Sequence, residues 1–298
     1  MPELPEVETM RRCVAAAAGS LISGVRRPPS KCQPITIRPP LELFRRQVVG
    51  RRIGAVGRIG KRIVLELDSG DRVVIEPRMT GLVLLADPPD REHLRIVLEL
   101  SAGDKGTGTF FGRGGRKMSP SPRRLLFWDQ RGLGVVQLFS AAEFAARYGP
   151  KRWGPDALAV SAAALRERLG PSRRPIKVAL LDQQALAGIG NLYASEILHA
   201  AAVHPAEPCC GLRPRQWSRL HAEMRRVLQA AIRHQGSTLR DGTYRIARNK
   251  PGNYQLCHRV YQRTGQPCLR CGRAKIERIV QAQRSTFFCP RCQHRRGD

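Results

Sequence analysis

The residues Met1-Pro2-Glu3-Leu4-Pro5-Glu6 carry more chemistry than any other stretch of this 298-residue chain. A residue as small as proline after the initiator methionine allows that methionine to be removed. Pro2 then presents a secondary amine with the Glu3 carboxylate beside it. An α-amino group titrates about two to three units below a lysine, so far more of it is unprotonated at neutral pH. Unprotonated amine attacks carbonyl-like carbons, the C1′ of a sugar among them. A secondary amine also forms an iminium that stays cationic, which makes it a good electron sink. The plainer reading, that Pro2 and Pro5 start a helix where proline is well tolerated, is compatible with this one.

At the far end, Cys268-x2-Cys271 and Cys289-x2-Cys292 are separated by 17 residues. That is the spacing of a closed tetrahedral zinc site of four thiolates. Two disulfides are the alternative. The sequence carries no signal peptide and no transmembrane run, which points to a reducing cytosol where metal is favoured. Cys13, Cys32, Cys209, Cys210 and Cys257 lack such spacing and are expected to be buried or incidental thiols.

Composition supplies the partner. Lys plus Arg number 52 against 24 Asp plus Glu, a net charge of +28. Such an excess creates a field that attracts polyanions. A membrane surface is the competing polyanion, but no long basic amphipathic helix stands out. Within residues 268–298, eight Lys and Arg face only Glu277 and Asp298, so the zinc module reads as a finger that grips a nucleic-acid backbone.

Several elements must position these groups. Val7, Met10, Val14 and Ala17 recur at helical spacing, predicting an amphipathic helix over 5–18. Strand-like runs follow at 62–67, 72–75, 82–86, 94–100, 125–128 and 134–138, a spacing that suggests a two-sheet sandwich or barrel. Residues 101–123 are rich in Gly, Ser and basic residues and read as a flexible surface loop that could touch DNA weakly. Tyr148–Pro155 marks a linker. Helical patterns then occupy 157–169, 176–181, 191–201 and 214–234; in the last, Trp217, Leu220, Met224, Val227, Leu228 and Ala231 form a stripe expected to pack as core. Between two of these helices, Gly188-Ile-Gly-Asn191 would expose backbone N–H groups at a helix start, which suits a phosphate.

Together these features resemble the formamidopyrimidine-DNA glycosylases and their endonuclease VIII relatives. The matching residues are Pro2-Glu-Leu-Pro-Glu-Val-Glu8, Lys61 opening Lys-Arg-Ile-Val-Leu-Glu-Leu67, Met79-Thr-Gly81, Gly188-Ile-Gly-Asn-Leu-Tyr-Ala-Ser-Glu196, and Gln283-Arg-Ser-Thr-Phe-Phe-Cys289. The opening is similar to the formamidopyrimidine branch. The resemblance implies a mixed α/β multidomain fold. An N-terminal helix and two-sheet β-sandwich would occupy 1–147, a helix-two-turn-helix domain 148–256, and a zinc β-hairpin finger 257–298.

It further implies a bifunctional glycosylase and abasic-site lyase acting on oxidised or ring-opened purines in duplex DNA. Pro2 would be the nucleophile, Glu3 the acid/base, Lys61 a lesion and phosphate contact that assists β-elimination, and Arg284 a phosphate contact linked to δ-elimination. Asn191 would pinch the backbone with Arg284 around an extruded nucleotide, since chemistry at C1′ of a stacked base requires that base to be flipped out. Met79 and Arg131 match wedges that fill the resulting hole. His93, Arg131 and Arg173 are expected DNA contacts, and Glu6 and Glu8 first-turn carboxylates facing the helix dipole. One structural zinc, a monomer and a cytoplasmic location complete the expectation.

The chain also departs from the family pattern. Asp129-Gln-Arg-Gly-Leu-Gly134 stands where Asp-Pro-Arg-Arg-Phe-Gly is usual, so Gly132 removes a basic side chain and Leu133 an aromatic one. Glu76-Pro-Arg78 replaces His-Leu-Gly, and Asp241–Tyr254 resembles, with differences, the loop that caps 8-oxoguanine. An endonuclease VIII-like enzyme for oxidised pyrimidines and a non-catalytic zinc-finger DNA-binding protein are the alternatives.

Overall fold

The computed structural model describes all residues except Met1, Ala86, 103–123, 239–243, 245–250 and 296–298. Of the basic loop expected at 101–123, residues 103–123 therefore lie outside the described residues, while Ser101 belongs to a strand. Met1 and most of the lesion-capping segment from Asp241 also lie outside them.

The amphipathic opening forms α1 (Leu4–Val14), with Pro5 in its first turn and a capping box between Glu3 and Glu6. Two sheets follow. One has the order β1 (Leu21–Arg26), β7 (Leu94–Ser101), β8 (Arg124–Asp129), β6 (Gly81–Leu84), all antiparallel. The other runs β2 (Thr36–Arg38), β9 (Val135–Phe139), β5 (Arg72–Glu76), β4 (Arg62–Leu67), β3 (Ile53–Ile59), with β2 parallel to β9. The apolar runs of β4, β5 and β7 meet in one core with Ile22 and Val25 of β1 and with Phe44 and Val48 of α2 (Leu41–Val48). Burial of this apolar surface is the main force holding the layers together.

The expected linker is packed rather than loose. Tyr148, at the end of α3 (Ala141–Tyr148), and Trp153 stack edge-on at 5.3 Å. The Arg62 guanidinium lies 4.6 Å from the Trp153 ring centre, a cation–π contact.

The helical region contains α4 (Ala162–Leu169), α5 (Ile176–Leu181), α6 (Asn191–Ala200) and α7 (Pro214–Arg233). All six residues of the apolar stripe on α7 are buried in its core. The helix expected from residue 157 starts at Ala162, because Asp156 Oδ1 accepts the Leu158 N–H in a turn and Ser161 caps the helix at Ala164 N–H.

The finger is a hairpin of β10 (Glu277–Gln281) and β11 (Arg284–Phe288). Ala282 and Gln283 both have positive φ, 46° and 59°, as a two-residue turn between twisted strands requires. Among the described residues no helix is long and apolar enough to cross a membrane.

α1 belongs to two cores at once. Val7, Met10 and Val14 pack into the sandwich, whereas Leu4 packs into the helical core. The amino terminus is thereby held at the seam between the two.

Candidate active site

The seam places Glu3 against the start of α6. Its carboxylate accepts the N–H groups of Gly190 at 2.7 Å, Leu192 at 3.0 Å and Tyr193 at 3.4 Å. The seat expected for a phosphate at this glycine turn is thus filled by a carboxylate of the protein itself, which the helix dipole stabilises. Two glycines make room. A Cβ at Gly190 would overlap the Glu3 carboxyl group, and one at Gly188, where φ is +110°, would strike the Leu4 side chain.

Glu6 is a second carboxylate of the seam rather than a solvated helix-dipole group. It is buried, accepts the Tyr193 hydroxyl at 2.6 Å and the Ser237 N–H at 2.8 Å, and caps Glu3 N–H at 2.9 Å. Burial, with the Glu3 charge alongside, raises its pKa despite these hydrogen bonds. Glu8 differs again: Arg58 and the helix neighbours Arg11 and Arg12 contact it at 2.9–3.2 Å.

A cavity of about 480 Å³ opens beside these groups. Of the residues singled out in the sequence, Pro2, Glu3, Glu6, Met79, Asn191 and Arg284 line it. Lys61, in the tight turn from β3 to β4, is not part of this lining, although it feels the charges of Glu3, Arg284 and Glu6. Burial lowers the Lys61 pKa, and Glu3 opposes that shift. Met79 is half-buried on the cavity wall, not sheet core. A larger groove of about 1310 Å³ beside Arg26, Glu99 and Arg124 holds none of the expected residues, and Glu99 is already paired with both arginines.

Asn191 is tied to the finger. Its Nδ2 donates to Ser285 O at 2.9 Å, and its Oδ1 accepts from Lys177 Nζ at 2.6 Å. Lys177 also donates to Thr286 Oγ1 at 2.6 Å and Ser285 O at 3.2 Å. Burial and the nearby Arg284 charge bring its pKa down to about 8. Sequence reasoning missed Lys177, although a lone lysine in the apolar segment Ile-Lys-Val-Ala-Leu-Leu was the available signal. Tyr244, which also lines the cavity, falls in the Asp241–Tyr254 segment noted in the sequence, whereas Ser237, Tyr261 and Gln262 gave no signal.

Besides Lys61, three expected residues lie outside the cavity lining. Arg131 sits in the β8–β9 turn, where its N–H bonds Thr80 Oγ1 at 3.0 Å and so links this turn to the Met79 loop. Thr80 and the Gly134 N–H both bond the buried Asp129 carboxylate. Gly132 has φ +65°, and a Cβ there would overlap the Gln33 carbonyl, so this departure from the family pattern has a steric reason. His93 stands at the start of β7, edge-on to Trp128. Arg173 is exposed in the α4–α5 connection.

The finger's four cysteines converge, with ligand atoms all within 4.8 Å of one another. Cys268–Cys292 and Cys271–Cys289 sulfurs are each 3.8 Å apart. Zinc–sulfur bonds of about 2.3 Å in a tetrahedron separate sulfurs by roughly 3.8 Å, so the donor set fits one structural zinc.

Family models match three successive parts of the chain: the formamidopyrimidine-DNA glycosylase N-terminal domain over 1–136, its H2TH domain over 153–243, and a zinc finger found in FPG and IleRS over 265–295. A formamidopyrimidine-DNA glycosylase of Chloroflexus aurantiacus is 42% identical over 299 residues, covering 98% of both chains. The chain belongs to the formamidopyrimidine-DNA glycosylase family. MutM (FPG) of Thermus thermophilus superposes with a TM-score of 0.79 at 34% identity, covering 98% of each chain. A Lactococcus lactis FPG mutant in complex with DNA containing Fapy-dG superposes with a TM-score of 0.81 at 30% identity, covering 99% of this chain and all of that one. The family fold expected from the sequence, sandwich, helix-two-turn-helix domain and zinc finger, is the one found.

Proposed function

We propose that the chain is a bifunctional DNA glycosylase and abasic-site lyase that removes oxidised or ring-opened purines from duplex DNA. The observation that carries this reading is the convergence of Pro2, Glu3 and Arg284 on one cavity, with the Glu3 carboxylate pinned to α6. A structurally similar Lactococcus lactis protein has been solved with DNA containing an abasic site, at a TM-score of 0.80.

With Met1 removed, the Pro2 nitrogen attacks C1′ of the flipped nucleotide, and the bond to the damaged base breaks with its electron pair. Glu3 delivers a proton to the ring oxygen as C1′–O4′ opens, leaving an iminium between Pro2 and C1′. Loss of a C2′ proton then expels the 3′ phosphate, and a second elimination expels the 5′ phosphate. Lys61 and Arg284 offer positive charge to these leaving groups. Water finally hydrolyses the imine and frees Pro2.

Asn191, His93, Arg131 and Arg173 are the proposed DNA contacts, with Met79 the wedge. In this reading Asn191 acts from a fixed position, held by Lys177 and the finger. Zinc holds the finger's shape and leaves no open coordination position for chemistry. We place the division of labour at a catalytic sandwich domain (1–147), a helix-two-turn-helix domain (148–256) and a finger (257–298). Since one chain supplies the whole cavity, a monomer acting on cytoplasmic DNA suffices.

The test is borohydride trapping on a duplex with one 8-oxoguanine opposite cytosine. A covalent protein–DNA band that disappears in Pro2→Gly is the expected result. Failure to trap on both this duplex and an abasic one would overturn the lyase assignment.

A further inference from the structure

Outside the finger, one further group of metal-type ligands converges among the described residues. Cys32, Glu92 and His93 bring a sulfur, a carboxylate oxygen and an imidazole nitrogen within 4.8 Å of one another. Cys32 comes from the β1–β2 connection, and Glu92 and His93 from the turn into β7. The two segments are knitted together independently of these ligands. Ser30 Oγ donates to Glu92 O at 2.8 Å, accepts the Cys32 N–H at 3.1 Å, and accepts from Arg95 at 3.2 Å.

The histidine is prepared in the manner of a metal ligand. Asp90 Oδ1 takes both the His93 backbone N–H and the ring Nδ1, each at 2.9 Å. A carboxylate on Nδ1 favours the tautomer with its lone pair on Nε2, fixes the ring plane and raises ligand basicity. Trp128 packs edge-on at 5.6 Å and removes further rotational freedom. Cys32 Sγ already lies 3.6 Å from Glu92 Oε1, close to the separation of two ligands on a tetrahedral ion.

We propose that Cys32, Glu92 and His93 form a second divalent-metal site, distinct from the finger, that takes an ion of the zinc class. Thiolate, imidazole and carboxylate together select such an ion over magnesium or calcium, whose shells are oxygen. Two anionic ligands balance the charge of a divalent ion, and the thiol proton leaves to solvent as the sulfur–metal bond forms. Three protein ligands leave the fourth position to water. On the DNA reading above, an ion at His93 and a DNA phosphate there exclude one another; the metal counts below do not depend on that reading.

The test uses the full chain, equilibrated with zinc, freed of excess by gel filtration and counted by elemental analysis. Wild type should hold two zinc ions per chain, and Cys32→Ser and His93→Gln one each. Asp90→Asn should hold two with the second about 10–100-fold weaker. In Co(II)-exchanged protein, Cys32→Ser should lower the thiolate-to-cobalt absorption by the share of one thiolate beyond the finger's four. A wild-type count of one, or a second ion unaffected by Cys32→Ser, would overturn the site; circular dichroism of each variant excludes unfolding as the cause of a lost ion.

Discussion

Glu3 and Gly190 are 187 positions apart in sequence and meet through a 2.7 Å hydrogen bond from the Gly190 N–H to Glu3 Oε2. The proposed acid/base is therefore aimed by a different domain from the one that bears it. Gly190→Ala places a methyl group where the carboxyl stands. Displacing a reacting group by about 1 Å loses on the order of 10²-fold in rate. Single-turnover excision should slow by about that factor, with DNA affinity nearly kept. A wild-type excision rate would show that Glu3 does not need this seat.

Glu8 makes stability acid-sensitive. Burial alone would raise its pKa, but Arg11, Arg12 and Arg58 overcome that and hold it at about 2, against an ordinary value of 4.5. A carboxylate with a depressed folded pKa stabilises the fold above its unfolded pKa and loses that contribution as pH falls toward the folded one. The loss should thus run from about pH 5 to pH 2. Glu8→Gln should flatten the denaturation midpoint over this window and lower stability at pH 7 by on the order of 2 kcal/mol. Urea melts at successive pH values provide the measurement, and an unchanged slope would refute the assignment.

Zinc removal should reach the cavity. Thr286 and Ser285, which hold Lys177 and Asn191, lie on β11 only a few residues before Cys289. Binding of the metal and folding of the hairpin are coupled. Chelation, or Cys289→Ser, should therefore abolish borohydride trapping and weaken duplex binding while most of the sandwich's strand signal persists. Retained trapping after verified metal loss would separate the finger from the site.

Arg284 reports on phosphate contact. If it neutralises one phosphate, Arg284→Ala should reduce the slope of log affinity against log salt by about 0.9. Fluorescence anisotropy over a salt series measures it, and an unaltered slope would remove Arg284 from the backbone.

Legibility followed locality. The zinc cysteines could be read because their ligand spacing is local, and β4, β5 and β7 because apolar runs mark strands buried inside a sheet. Strands β1, β2 and β3 were not anticipated: each lies at a sheet edge, and β1 buries only Ile22 and Val25. Helices α2 and α3 span only eight residues each, although Ser140 and Glu143 form a capping box ahead of α3. Pro2 and Glu3 were found through their motif, whereas Glu6 was misjudged because its burial depends on Tyr193 and Ser237, far along the chain. Lys177 was overlooked for the same reason: its acceptors Ser285 and Thr286 are more than a hundred positions away.

The cavity wall joins Pro2 and Glu3 to Arg284, Ser285 and Phe287, so it draws on both ends of the chain. A ribosome adding roughly 5–20 residues per second makes the reactive terminus about 15–60 s before the hairpin that completes its surroundings. Over that interval the emerging polypeptide carries an amine without the groups that would direct it at a sugar. Assembly of the last strand thus acts as the moment of arming, and a truncated translation product should be inert toward the genome.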